Sequence, residues 1–174
     1  MAVLPCGAFL REHSAAMRMY VLLLGVLAVT AAAEEPRRNV FDDPFLPVTA
    51  ALRGCPAPRP PGFTEEEVRK AAHVRAQHGT SCYRVGRCRL PNSYLYDKEI
   101  IPRVQQYIRM DGRFDDTSVW VLGERRIVTL MGCVKTREQS EQMEKSVLLV
   151  DDVMGVVNYL MVGTQDKPKY EVAR

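Results

Sequence analysis

Residues 127–134 read IVTLMGCV, and this stretch decides the fold. Isoleucine, valine and threonine are β-branched and favour a pleated strand over a helix. Alternation along a strand puts Val128, Leu130, Gly132 and Val134 on one face and Thr129, Met131 and Cys133 on the other. Just upstream, TSVWV at 117–121 has the same character, and Gly123-Glu124-Arg125-Arg126 between the two runs reads as the turn of a hairpin.

Working outward, DKEIIPRVQQYIRMDG at 97–112 carries Ile100, Ile101, Val104, Tyr107 and Ile108 at helical spacing and stops at Gly112. Pro102 lacks an N–H, so it belongs in or near the first turn or it kinks the helix. Downstream, Thr136 to Gln139 forms a capping box. The helix it opens is expected to run to about Val150, with Met143, Val147 and Val150 as its buried stripe. Gly155 to Leu160 (GVVNYL) then reads as a short final strand. The order is α-β-β-α-β. The compact solution is an α+β two-layer sandwich, with a three-stranded mixed sheet and two helices on one face.

Gly132 is expected to let a helix or neighbouring backbone approach, or to mark a bulge. Gly155 is expected at a tight entry to the last strand with a positive φ.

Farther upstream the character changes. Residues 34–62 hold seven prolines, which deny a regular helix or central strand. They read as an extended, linker-like arm. Residues 63–96 open with Thr64-Glu65-Glu66-Glu67, a capping box with acids at the positive end of the helix dipole. That helix is expected to reach His78 and stop at Gly79, with too few apolar residues for a core. A cysteine-pinned loop bearing Arg84, Arg87 and Arg89 follows. Residues 163–174 read as a loose tail.

At the start of the chain, Tyr20 to Ala33 is a charge-free run of 14 residues preceded by Arg18 and ending in three alanines. It is short for a bilayer span, which takes ~20 residues. Residues 1–33 therefore read as a secretory signal peptide cut before Glu34, the competing reading being an uncleaved anchor. Met17 and Met19 each begin a more ordinary signal peptide than Met1, so residues 1–16 are open to being a start-site artefact. Cys6 has no apolar run before it, which argues against a lipoprotein.

Export leaves Cys55, Cys82, Cys88 and Cys133, an even number that suits two disulfides in an oxidising compartment. Three connectivities are open, and Cys82–Cys88 with Cys55–Cys133 is preferred. The second pair would pin the arm across the open sheet face. Zinc is disfavoured. The five-residue spacing of His73 and His78 does not suit one helical face, and Cys-x5-Cys is not a usual zinc knuckle.

The chain has 24 basic and 21 acidic residues, a net +3 that is too even for nucleic-acid binding by charge alone. The charge is uneven along the chain. Residues 53–113 carry net +6, whereas 34–52 and 114–174 carry net −2 each. No hydrolase elbow, zinc-protease, phosphate-loop or dinucleotide motif occurs. His73 and His78, and the adjacent pairs Asp115/Asp116 and Asp151/Asp152, read as solvated groups. The sequence is thus read as a non-enzyme without cofactor or metal.

The run Val128, Leu130, Gly132, Val134, then a capped helix, then Gly155, Val156, Asn158 and Leu160, resembles the BON (bacterial OsmY and nodulation) domain over about residues 96–162. Many relatives carry two such domains, and here there is one. Cys133 and the cysteine-pinned segment lie outside the family pattern. The resemblance implies a periplasmic envelope module linked to phospholipid binding and membrane integrity under stress. The candidate partner is then an anionic phospholipid surface met by Arg84, Arg87, Arg89, Arg103, Arg109 and Arg113. The alternative is docking to an envelope protein through an edge strand, or through a sheet face bearing Trp120, Met131 and Cys133. Oligomeric state is not legible.

Overall fold

The structure is a computed structural model that describes residues 35–173. They belong to one compact unit, Glu34–Arg174. The expected leader, its cleavage site and Cys6 lie outside the described residues.

Strand β1 spans Phe45–Ala50, helix α1 Glu65–Gly79, the short helix α2 Ser81–Arg84, and a 3-10 turn Ser93–Tyr96. Helix α3 spans Asp97–Asp111, β2 Ser118–Glu124, β3 Ile127–Val134, α4 Arg137–Leu148 and β4 Gly155–Val162. The sheet order is β1-β2-β3-β4. The first two pairings are antiparallel, and β3 pairs β4 in parallel across α4.

The expected three-stranded sheet is therefore corrected to four strands, because the proline-rich arm supplies β1. Proline cannot donate to a ladder, but an edge strand needs partners on one side only. Pro47, paired with Trp120, sits on that edge. The register shifts between Pro47 and Thr49, and the bulged Val48 is buried in the core at 4% exposure. A count of prolines does not separate an edge strand from a linker.

Helix α3 lies over β1 and β2, and α4 over β3 and β4. Between helices and sheet, Ile100, Ile101, Val104 and Ile108 meet Val119, Val121, Val128, Leu130, Val134, Met143 and Val147, all fully buried. Burying each such side chain contributes about 1.5–3 kcal/mol before chain entropy is charged. Pro102 stands in the second turn of α3 rather than the first. α4 stops at Leu148, two residues before the expected end, and β4 runs two residues past it.

Both capping residues behave as read. Thr64 and Glu67 form the reciprocal box, and Thr136 accepts from the Gln139 N–H. Gln139, however, reaches back to the Lys135 N–H rather than to that of Thr136.

The opposite sheet face is crossed by the arm. Cys55 is bonded to Cys133 on β3, and Cys82 to Cys88. Both are the preferred pairs. Ser118 exchanges two hydrogen bonds with the Leu52 backbone at the start of the crossing. The tail is tied down as well, contrary to the loose segment expected. The Tyr170 hydroxyl donates to the Pro56 carbonyl at 2.8 Å, and Val172 pairs with Pro58. The arm offers the tail a free backbone edge, which residue types alone do not reveal.

Candidate functional site

Gly132 takes φ +121°, and a Cβ there would stand 2.1 Å from the Ser118 carbonyl oxygen. It is the close approach of neighbouring backbone, one of the alternatives the sequence left open. Gly155 differs from expectation: it is absent from the positive-φ glycines, and Asp152, at φ 72°, makes the left-handed step before β4 instead. Asn158 on β4 donates to Ser140 Oγ at 3.0 Å and Glu144 Oε2 at 2.9 Å on α4, and accepts from the Leu160 N–H. Val128, Leu130 and Val134 are fully buried, and Val156 and Leu160 pack against the same core. The pattern residues are thus structural: they build the sandwich and hold α4 on it.

The hairpin turn is made by Arg125 and Arg126, both at positive φ. Each donates its N–H to a carboxyl oxygen of Asp97 at 2.7 Å. Asp97 is 1% exposed, and burial pushes its carboxyl up to about 6 against those two donors; the nearby Asp43 and Glu124 charges push the same way. The Arg126 guanidinium lies 4.6 Å from the centre of the Tyr96 ring, donates to the Asp152 carbonyl at 2.8 Å and comes within 3.3 Å of Cys88 Sγ. The Tyr96 hydroxyl accepts from the Leu90 N–H at 2.9 Å. Together these contacts fasten the base of the Cys82–Cys88 loop to the sandwich. Arg126 escaped sequence reading because its partners come from three separate segments.

The six candidate arginines do not form one surface of free charge. Arg89 pairs with Glu99 at 2.7 Å, which holds its guanidinium charged. Arg103 pairs with Asp152 at 3.2 Å. Arg109 caps the bulge of β1, donating to the Val48 carbonyl at 3.0 Å. Arg113 is paired with Asp111 and holds that carboxyl below its ordinary range. Arg84 and Arg87 are exposed, and among the described residues their side chains have no ion pair or hydrogen bond.

Arg75 also escaped sequence reading. It is 8% exposed, forms a two-pronged pair with Asp43 at 2.8 and 2.5 Å, and lies 4.2 Å from the centres of the Phe41 and Tyr94 rings. It anchors α1 to the arm. A surface-like helix pattern gave no hint that one arginine would be buried.

Of the acids and histidines read as solvated, Asp115 and Asp151 are exposed, whereas Asp116 and Asp152 are half-buried and ion-paired. His73 and His78 are exposed. Asp116 pairs with Lys135 at 2.9 Å, which lowers its pKa, and Asp152 pairs with Arg103 and Arg126. Among the described residues no cluster of His, Cys, Asp and Glu is placed to hold a metal. Met131 and Cys133, candidates for a docking face, are covered at 6% and 0% exposure, because the arm crosses them. Trp120 is half-buried.

The protein is thus defined as a helix-on-sheet sandwich whose polar groups mostly lock its own elements together, with an extra arm and a basic loop built onto it. The family model of the BON domain matches residues 96–164, so the chain carries a BON domain over these residues. BON-domain proteins are generally non-enzymatic and typically belong to the cell envelope. No curated protein and no solved structure matches the chain. Among the described residues no helix is long and apolar enough to cross a membrane.

Proposed function

We propose that the protein is a non-catalytic periplasmic module that binds the surface of anionic phospholipid membranes and supports envelope integrity. The observation that carries this reading is the concentration of positive charge outside the sheet. From Val68 to Tyr96 the chain has six basic residues and no acid; Lys70, Arg75 and Arg89 are paired with acids from outside this stretch, and Arg69, Arg84 and Arg87 stay exposed. The signal-peptide reading of residues 1–33 supports delivery to that compartment, and the two disulfides suit it. Near an anionic surface each exposed Lys or Arg contributes about 1 kcal/mol, so a few free cations are enough for peripheral association.

The test is co-sedimentation of residues 34–174 with vesicles. Binding to phosphatidylcholine mixed with phosphatidylglycerol, absent with phosphatidylcholine alone and lost at high salt, supports the reading. Equal binding to both, or to neither, overturns it.

A second reading has its own observation. β4 is a sheet edge, and beside it a cleft of about 470 Å³ is lined by Arg137, Ser140, Asn158, Lys167 and Lys169 among others. An envelope protein adding a strand there is the alternative partner. Complex formation that needs no lipid and is abolished by a proline in β4 favours it.

A further inference from the structure

We infer that the loop closed by Cys82–Cys88 is the membrane-contacting element: Tyr83 and Val85 enter the interfacial layer of an anionic bilayer while Arg84 and Arg87 hold its phosphates. This rests on the membrane reading above and assigns it to a site outside the residues matched by the BON family model.

Four observations place it there. Tyr83 is 50% exposed and Val85 64% exposed, so an aromatic and an aliphatic side chain stand in water at the tip of a six-residue separation closed by a disulfide. Exposed apolar groups at such a tip bury no protein surface, whereas tyrosine suits the headgroup boundary, where its ring is dry and its hydroxyl wet. Arg84 lies between them and Arg87 follows two residues on; neither has a side-chain partner among the described residues, unlike Arg89, Arg103, Arg109 and Arg113.

The loop is also held in shape. The Gly86 N–H donates to the Tyr83 carbonyl at 3.0 Å and the Arg87 N–H to the Cys82 carbonyl at 2.9 Å. A preformed tip loses little conformational freedom on contact. Finally, its base is fastened to the sandwich through Cys88 with Arg126 and Leu90 with Tyr96, so insertion of the tip orients the whole domain. A bilayer, rather than a dissolved anion, fits this pairing because only a bilayer offers an apolar layer beneath its charges.

The experiment places a reporter at the tip. In residues 34–174 carrying Trp120→Phe, which silences the single tryptophan, Tyr83→Trp supplies the signal. On titration with phosphatidylcholine–phosphatidylglycerol vesicles its emission is expected to shift to the blue, and dissolved glycerophosphate is expected to leave it unmoved. In the otherwise native chain, Arg84→Ala with Arg87→Ala is expected to weaken vesicle binding about thirtyfold, from two surface charges. Val85→Ser is expected to weaken it severalfold. Far-UV circular dichroism checks that the fold is kept.

If the native chain binds anionic vesicles but the reporter does not shift and the arginine pair changes binding less than about threefold, the loop assignment falls and the membrane reading stands. If the reporter responds equally to glycerophosphate, the loop is an anion site and the insertion is wrong. If the native chain binds no vesicle, both fall.

Discussion

Gly132→Ala isolates the contact on which the hairpin depends. A Cβ at this position would lie 2.1 Å from the Ser118 carbonyl oxygen and 3.0 Å from Val119 Cα. Both neighbours are backbone of the central strand pair, so no side chain is free to turn away. To reach ordinary contact, β2 and β3 must part by about 1 Å locally. That opening forfeits about two ladder hydrogen bonds at roughly 1 kcal/mol each. The φ of +121° adds about 1–3 kcal/mol for a residue with a Cβ.

The sum is about 3–5 kcal/mol, a large part of the ~5–15 kcal/mol typical of a domain. In a domain of this size it lowers Tm by ~10 °C or more. Gly155→Ala is the internal control. There a Cβ meets only Ile127 Cδ1 at 3.3 Å, the end of a flexible side chain, and φ is not positive. It is expected within about 1 kcal/mol of the native chain. Urea unfolding of residues 34–174, followed by circular dichroism, gives both values. A Gly132→Ala chain within about 1 kcal/mol of native, or a Gly155→Ala chain equally damaged, refutes the close-approach account.

Three further outcomes are expected. Replacing both Cys55 and Cys133 by serine opens a loop of 78 residues and is expected to cost up to about 4.5 kcal/mol, against about 2 kcal/mol for the six-residue Cys82–Cys88 loop, by chain entropy; the ranking is read from urea midpoints. Arg75→Ala leaves the Asp43 carboxylate buried at 7% exposure without its partner, and a loss of about 3–5 kcal/mol is expected in the same assay. Asp97 titrates near 6 in the fold and near its ordinary 3.8 when unfolded, so the folded chain holds a proton that the unfolded chain releases in that window. Its contribution is full below 3.8 and is lost as pH rises through about 6. Carboxyl NMR titration checks the value, and Asp97→Asn is expected to flatten the stability slope between those pH values.

The sandwich was legible from residues 97–160 because strand and helix periods are local consequences of side-chain shape. Val128, Leu130 and Val134 could only share a face, and Ile100, Ile101, Val104 and Ile108 could only line one side of a helix. Gly132 was legible in part: a glycine in this strand left approach by a helix, approach by neighbouring backbone or a bulge open, and the structure shows the neighbouring backbone of β2. The capping residues were plain. The preferred disulfides agree with the structure, although the sequence left three connectivities open.

Contacts between distant segments were not legible. Whether Phe45–Ala50 is a linker or a fourth strand depends on a free edge at β2 that exists only once the sheet has formed. The burial of Arg75 depends on Phe41, Asp43 and Tyr94 converging on it, and the fastening of the basic loop depends on Arg126 reaching Cys88 and Asp152. The same holds for charge. The sequence identified six arginines as one basic zone, and the fold neutralised or engaged four of them, leaving Arg84 and Arg87 on a clasped tip. Period and propensity act within a few residues and so are written in the chain, whereas partners, burial and free charge are set by which remote groups the fold brings within hydrogen-bonding distance.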